Sequence, residues 1–398
     1  MTRRPGLGIQ MLIGLVAGTV LGAVLGTRTA FLQPLGDLFI RLLVLAAVPL
    51  VFFNLVSGLT TLTDLKTLGR LAAKILTYFA ATTVVAVLVG IAAMTVLRPG
   101  VGMTLRGQVD QEVSAAPSVG QVLLELVPTN VVRAFAEGNV AQVVLLAVLL
   151  GVATLRLSAG PRDRVRAAFT DIADLFRRVV DIILVVAPYG VGALMAATVG
   201  RYRAQLFGPM ASFVAGVTGA HLVMFALYML LLRVLSTYRP ARFLQDTGTL
   251  WATTAATASS VASLSLALEL AEKMRLPRAI YGFTVPLGNQ INKDGTAAML
   301  AAVVVFTAQA MGAPLTGAVL FKIVVLGAVL SAGSGGIPGG GFVVALVMVN
   351  AFGFPLELAA IVGGIYRLVD MGNTTINVMG DMVGTILVAD WERARGSG

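Results

Sequence analysis

The sequence predicts an all-α polytopic membrane protein, and three observations support this prediction. Hydrophobic residues make up 57% of the chain and charged residues only 12%, about half the charged fraction of a soluble domain. Apolar runs long enough to span a bilayer recur along the chain. In the C-terminal half, two small-residue hairpins alternate with two spans that contain polar residues, which is typical of an inverted-repeat transporter.

The basic residues lie in short segments between the apolar runs. A net charge of +10 could suit a nucleic acid, but Lys and Arg in alternate short loops follow the positive-inside rule. We therefore expect no nucleic-acid partner, a multi-pass protein of the cytoplasmic (inner) membrane, and cytoplasmic N and C termini. Cysteine is absent and His221 is the single histidine, so thiolate and histidine-cluster metal sites are excluded.

Six apolar segments precede the first hairpin. They lie near residues 7–25, 39–59, 71–97, 122–127 together with 140–155, 179–199 and 207–235. Residues 98–118, with Pro, Gly, Ser and mixed charge, predict an external linker.

A re-entrant hairpin and an interrupted span follow. Residues 247–263 are small and polar, and an amphiphilic stretch follows them, so we expect two half-length helices joined by a Ser-rich tip. The next apolar segment is broken by Pro-Leu-Gly-Asn-Gln-Ile-Asn-Lys-Asp-Gly-Thr, residues 286–296. Unwound backbone at membrane depth persists only where it is buried in protein or lines a cavity. Because a structural kink needs Pro or Gly but not Lys293 and Asp294, we interpret this break as a binding site.

The pattern then repeats from the opposite side. A Gly-rich tip, residues 331–341, joins two apolar segments, and the last span contains Asp370, Asn373, Asn377 and Asp381. Interrupted segments at corresponding positions of two halves indicate a transporter binding site between them.

Three motifs, in order, resemble the dicarboxylate/amino acid:cation symporter family, which includes glutamate and neutral amino acid transporters. They are residues 292–296, Asn-Lys-Asp-Gly-Thr, against the family's Asn-Met-Asp-Gly-Thr, the tip 335–341, and residues 370–381. The resemblance covers nearly the whole chain. It implies eight transmembrane spans plus two re-entrant helical hairpins with inverted repeats, a homotrimer, and an elevator-type mechanism.

The resemblance also implies a division of the chain. Residues 1–70 (spans 1 and 2) and 119–200 (spans 4 and 5) would form the trimeric scaffold, and residues 71–98 would be span 3 of the transport domain. The transport core would occupy residues 207–398, with span 6, the first hairpin at 244–276, span 7 at 279–311, the second hairpin at 316–352 and span 8 at 356–390.

By the same resemblance, Asp370 would receive the ammonium of an amino acid substrate, and Ser260 and Asn377 its carboxylate. Asn373 stands where acidic-substrate members carry an Arg, and Ala258 where a second Arg can occur. Neutral Asn cannot reproduce the bidentate clamp of Arg, so we predict a neutral amino acid; Arg367 is expected to face elsewhere. The predicted substrate-binding set is Ser259, Ser260, Thr296, Gly336, Ile337, Pro338, Gly339, Asp370, Asn373, Thr374 and Asn377.

The predicted cation site also departs from the family pattern. Lys293 replaces a Met that lies among the sodium sites, and Phe79 stands where a Tyr is usual. We predict that the Lys293 ammonium replaces sodium, so that transport is proton-linked or uncoupled exchange. The alternative is a sodium-coupled symporter of acidic or neutral amino acids, with Na⁺ at Asp294 or Asp381. The predicted cation site or its replacement comprises Thr82, Thr83, Gly288, Asn292, Lys293, Asp294, Ser331, Ser334, Asn377 and Asp381.

No prosthetic cofactor is expected, only Na⁺ or H⁺ as a coupling ion, and the bilayer and a small-molecule substrate are the expected partners. Two rival classes are a channel, which would show one continuous polar stripe, and an intramembrane enzyme, which would need a nucleophile–base spacing that the sequence lacks. We therefore expect that the protein is not an enzyme. His221 could carry a proton because of its ordinary pKa; the simpler interpretation is a packed or hydrogen-bonded side chain.

Overall fold

The computed structural model describes residues 7–60, 65–103, 124, 127–137, 140–202, 207–334 and 339–396, and within these ranges it contains helices and turns but no strand. Three helical segments there are long and apolar enough to cross a membrane, namely Gly69–Leu97, Phe207–Leu235 and Arg278–Met311. The bent pair Ala159–Ile183 and Ala187–Arg201 makes a fourth if it is one span. The all-helical membrane class is confirmed, whereas the number of eight spans and the re-entrant geometry stay predictions.

The helices follow one another in this order: α1 Leu7–Leu25, a 3₁₀ segment Gly26–Leu32, α2 Gln33–Thr60, α3 Leu65–Leu97, α4 Val131–Ala136, α5 Val140–Leu155, α6 Ala159–Val185, α7 Ala187–Tyr202, α8 Phe207–Leu235, α9 Pro240–Thr257, α10 Ser260–Lys273, α11 Arg278–Ile291, α12 Asp294–Met311, α13 Gly317–Ala332, α14 Gly340–Ala351 and α15 Leu356–Gly396.

The first helix packs closely along α7. A Cβ atom added at Gly14 would collide with the carbonyl of Pro188, and one at Gly18 with the carbonyl of Gly192. Small residues at such a four-residue spacing let two backbones approach without intervening side chains, as in membrane helix pairs. The backbones of α1 and α7 are therefore in direct contact at these glycines.

The apolar segment predicted at 179–199 is not one straight helix. Helices α6 and α7 meet at Val186 with a bend of 57°, two residues before Pro188. Proline lacks an amide hydrogen and its ring clashes with the preceding turn, so a helix breaks or kinks there. The predicted fifth span is therefore bent in the structure, and its crossing of the membrane as one span stays a prediction.

The C-terminal helices place the first predicted hairpin, α9 and α10, on α15 and the second, α13 and α14, on α12. Helices α9 and α10 join through Ala258, in the left-handed region with φ 47°, and Ser259, whose side chain accepts a hydrogen bond from the Ala262 amide and caps α10. Helices α13 and α14 form the second pair, and most of the residues at their tip lie outside the described ranges. Helix α12 is buried along nearly all of its length and packs on α3, α8, α13, α14 and α15.

Candidate substrate and cation site

The predicted interruption is a true break between α11 and α12. Helix α11 contains Pro286 and ends at Ile291; Asn292 and Lys293 then have non-helical backbone (φ −89°, ψ 106° and φ −132°, ψ 52°) before α12 begins at Asp294. The first amides of a helix have no partner within it. The break therefore brings free N–H groups, polar side chains and a helix N terminus to one buried point.

Asn377 of α15 satisfies those amides. Its Oδ1 accepts hydrogen bonds from the Gly295 amide at 2.8 Å and the Thr296 amide at 3.3 Å. Its Nδ2 donates to Thr296 Oγ1 at 3.1 Å. Asn377 thus lies in the site as expected, but its amide is engaged by α12, so a substrate carboxylate would have to displace a protein contact to reach it.

Two buried carboxylates flank the break. Asp294, 0% exposed, accepts from Thr83 Oγ1 at 2.7 Å and from the Tyr228 hydroxyl at 2.6 Å. Asp381, 2% exposed, accepts from Asn292 Nδ2 at 3.0 Å. A carboxylate out of water needs a balancing cation or several donors, so this is a place where positive charge is favoured.

Sequence reasoning missed Tyr228 in this cluster. It lies seven residues after His221 on α8, two helical turns along, so the two side chains share a face. That spacing was the available signal.

The Lys293 side chain is buried, with 1% of its surface exposed. Its Nζ donates to the Asn289 carbonyl at 2.5 Å and to Ser260 Oγ at 2.9 Å. Neither acceptor is a carboxylate; Asp381 and Asp370 act on the ammonium only as longer-range charges. Lys293 therefore belongs to the site, as predicted, and it points toward the tip of the first hairpin. Asn289, which also donates to the Ser260 carbonyl at 2.5 Å, was not predicted.

Asp370 is held between the last helix and the second hairpin. Its Oδ1 accepts from the Tyr366 hydroxyl at 2.7 Å and its Oδ2 from the Gly339 amide at 3.2 Å, just before α14. The positive end of a helix stabilises a carboxylate. Among the residues that the structure describes, no ion pair involves Asp370. Tyr366, one turn earlier on α15, was missed by sequence reasoning.

Asn373 is completely buried and faces α8. Its Oδ1 lies 2.9 Å from Nε2 of His221, while its Nδ2 has no hydrogen-bond partner. In the structure His221 is a packed, hydrogen-bonded side chain, which agrees with the simpler of the two interpretations.

Arg367 contacts the first hairpin. Both terminal nitrogens lie 3.3 Å from the Thr257 carbonyl at the end of α9, whereas Asp370 is bonded to Tyr366 and Gly339. That Arg367 faces away from the substrate stays a prediction.

Of the other predicted residues, some contact the buried carboxylates and others bond only within their own helix. Gly288 packs on Asp381, because a Cβ there would collide with Asp381 Oδ1. Thr82 donates to the Phe79 carbonyl of its own helix at 3.3 Å. Ser331 likewise bonds within its own helix, to the Ala328 carbonyl. The remaining described members are buried: Ser259, Ser334 and Thr374. Gly336, Ile337 and Pro338 lie outside the described residues.

Comparison with known proteins gives a family and several relatives. The model of the sodium:dicarboxylate symporter family matches residues 7–391. A proton/glutamate-aspartate symporter of Bacillus subtilis (strain 168) is 31% identical over 98% of this chain and 95% of its own length. A protein of the same description from Escherichia coli (strain K12) is 32% identical over 96% and 92%. A C4-dicarboxylate transport protein of Solibacter usitatus (strain Ellin6076) is 31% identical over 98% and 92%.

Proposed function

The chain belongs to the sodium:dicarboxylate symporter family, and on that premise we propose that it carries neutral amino acids through the membrane without requiring sodium. Membership makes it a multi-pass secondary transporter coupled to a cation, and symporters are not enzymes. Its relatives are named for protons, or for protons and sodium, so Na⁺ or H⁺ is the fitting coupling ion. For this chain we propose transport that is linked to protons, or uncoupled exchange of substrate, in place of sodium coupling.

The buried lysine at the helix break is the observation that supports sodium independence. Lys293 places a buried amino group near Asp370 and Asp381, in a region where the family resemblance places sodium. Burying an ammonium is costly unless charge and hydrogen bonds compensate it. Two buried carboxylates, Asp370 and Asp381, supply the charge, and Ser260 and Asn289 supply the hydrogen bonds. Because the Lys293 ammonium already balances part of the carboxylate charge, a sodium ion gains less free energy by binding here.

The charge balance near Asp370 supports a zwitterionic substrate. Its carboxylate has hydrogen-bond donors but no ion pair within contact distance in the described part of the chain, and Lys293 and Arg367 act on it only from further away, so an α-ammonium group could take the contact position. Asn373 carries no charge and is engaged with His221, so it cannot act as the permanent cation that a side-chain carboxylate requires. The relatives' names indicate glutamate, aspartate or C4-dicarboxylates, and an acidic substrate is therefore the second candidate.

We also propose the elevator division and the homotrimer that the resemblance implies. The first group of helices, α1, α2 and α5–α7, would form the scaffold. In the second group, α3 and α8–α15, every other helix packs on α12 or on α15, and the group would move as one body with the site inside it. The termini would be cytoplasmic in the inner membrane.

Uptake of labelled serine, alanine and aspartate into proteoliposomes tests this function. We expect saturable uptake or exchange of serine and alanine with choline in place of sodium, and a response to pH if protons are coupled. Aspartate as the best substrate would replace the neutral assignment with the acidic one. An absolute sodium requirement would remove the lysine argument, and unsaturable flux would favour a channel.

A further inference from the structure

A groove runs along the outer surface of α3 and α8. It has a volume of about 550 Å³, with Ala73 and Ala81 on one wall, Leu227 and Leu231 on the other, and Trp391 of α15 also in its lining. Both α3 and α8 are long and apolar enough to cross a membrane. Ala73 and Ala81 are exposed, so their short side chains leave the groove open toward the bilayer.

The groove has about the length of one membrane leaflet. Its lining on α3 extends from Ala73 to Val85, a rise of about 18 Å, and half of a hydrocarbon core is about 15 Å. Leu230 and Val234, which neighbour lining leucines of α8 in sequence, are exposed large hydrophobic residues. An extended acyl chain matches this shape, whereas water would find few polar partners there.

One end of the groove carries excess positive charge. Lys74, which lines the groove, pairs with Glu392 at 2.7 Å, and Arg70, about one turn earlier on α3, pairs with the same carboxylate at 2.6 Å. Two cations therefore share one carboxylate. Asp390, two residues before Glu392, is already matched by Arg393 at 3.8 Å. In this cluster of described residues, one positive charge has no carboxylate to balance it.

The basic end of the groove is the cytoplasmic end by the positive-inside rule. Trp391 precedes Glu392 in sequence and lines the groove beside Lys74, and tryptophan side chains are enriched at the level of the lipid headgroups. Anionic lipids of the cytoplasmic leaflet attract basic residues near the membrane surface. A lipid phosphate would meet opposite charge at this end, while its acyl chain would meet apolar walls along the rest.

We propose that this groove binds one anionic phospholipid of the cytoplasmic leaflet. An acyl chain lies between α3 and α8, and the phosphate contacts Arg70 and Lys74 in competition with Glu392. The bound lipid connects the cytoplasmic ends of α3, α8 and α15. The site takes a lipid whichever substrate the protein carries.

The headgroup is tested by retention of phosphatidylglycerol and phosphatidylcholine with the same acyl chains, counted by native mass spectrometry of the purified full chain. One unbalanced charge predicts that the wild type prefers phosphatidylglycerol by about fivefold. Lys74→Gln should remove most of this preference, and Lys74→Arg should keep it. Lys273→Gln is the matched control, because Lys273 also pairs with a glutamate, Glu269, but does not line the groove.

Glu392→Gln gives the sharpest sign. Without the competing carboxylate, both cations face the phosphate, so the preference for phosphatidylglycerol should rise about fivefold further. If Glu392 only held α15 against α3, its loss would lower retention or leave it unchanged, and either result would overturn the proposal. Where Lys74→Gln does not fold, this variant decides alone.

The acyl chain is tested separately from the headgroup. Ala81→Leu places a larger side chain in the groove and should lower phosphatidylglycerol retention at least about fivefold. Ala80→Leu, at an exposed neighbouring position of α3 that does not line the groove, should leave it unchanged. Phosphatidylglycerol should raise the Tm in detergent, whereas inorganic phosphate should not.

Three results would overturn the lipid site. Equal retention of the two lipids by the wild type would indicate lipid bound without regard to its headgroup. Equal loss in Ala80→Leu and Ala81→Leu would exclude the groove as the place of the chain. A Tm that inorganic phosphate raises as much as phosphatidylglycerol does would indicate a site for a free anion.

Discussion

Replacing Lys293 by methionine removes the buried charge while keeping a long unbranched side chain. The variant loses two hydrogen bonds from an ammonium, to Asn289 and Ser260, each worth about 1.5–3 kcal/mol. It also loses the desolvation cost of a buried ion, which is several kcal/mol. Because these terms oppose each other, we expect Lys293→Met to fold.

The larger effect should appear in cation binding. A unit charge about 6–10 Å from another is worth about 2–3 kcal/mol at an effective dielectric constant of about 20, and Lys293 acts on Asp381 and Asp370 at longer than contact range. Without it, sodium affinity should rise by about 20- to 100-fold.

The assay is substrate binding titrated with sodium, using choline to hold the ionic strength constant. The wild type should bind equally with and without sodium, whereas Lys293→Met should require it. Lys322→Met is the matched control, because Lys322 contacts the Ala351 carbonyl and the Phe352 ring on the second hairpin. A wild type that needs sodium, or a variant that ignores it, would refute the reasoning.

Three further predictions concern separate parts of the chain. Asp370→Asn should weaken amino acid binding at least about 50-fold, because an ammonium loses its only charged partner, and a calorimetric Kd within about threefold of wild type would contradict that role. Gly288→Ala should displace the Asp381 carboxylate, since a Cβ would collide with its Oδ1. Uptake should fall while the Tm in detergent stays within a few degrees of the wild type. Normal uptake would count against a role for this carboxylate. Hydrogen bonds from Arg70 and Lys74 lower the pKa of Glu392 from its ordinary 4.5, so the stabilisation is present above that value and is lost as the pH falls through the lower folded-state pKa. Tm measured across that range should fall for the wild type and not for Glu392→Gln; parallel curves would exclude this pair as a pH-dependent contact.

The position of the site could be predicted from sequence because the signals are local. Pro and Gly beside Asn292, Lys293 and Asp294 conflict with a continuous membrane helix, and the structure breaks the helix at that point. Burial of the charged residues followed from the same conflict, since such groups at membrane depth are tolerated only inside protein.

The partners across the site could not be predicted, because they depend on the rotation of each helix about its own axis. The sequence shows that Asp294 needs donors but not that Tyr228 supplies one. It shows that Arg367 lies about one helical turn before Asp370, but not that the end of α9 packs there. Lys293 was expected to replace sodium, but the sequence does not show that its hydrogen bonds go to Ser260 and Asn289.

The central claim is that a built-in ammonium replaces free sodium in a pocket for neutral amino acids. The most direct test is calorimetric titration of the purified wild-type chain with serine and with aspartate, in sodium-free buffer and in sodium-containing buffer. The account predicts that serine binds with a Kd that sodium changes less than about threefold, and that aspartate binds more weakly. Binding that occurs only with sodium, or tighter binding of aspartate, would contradict it.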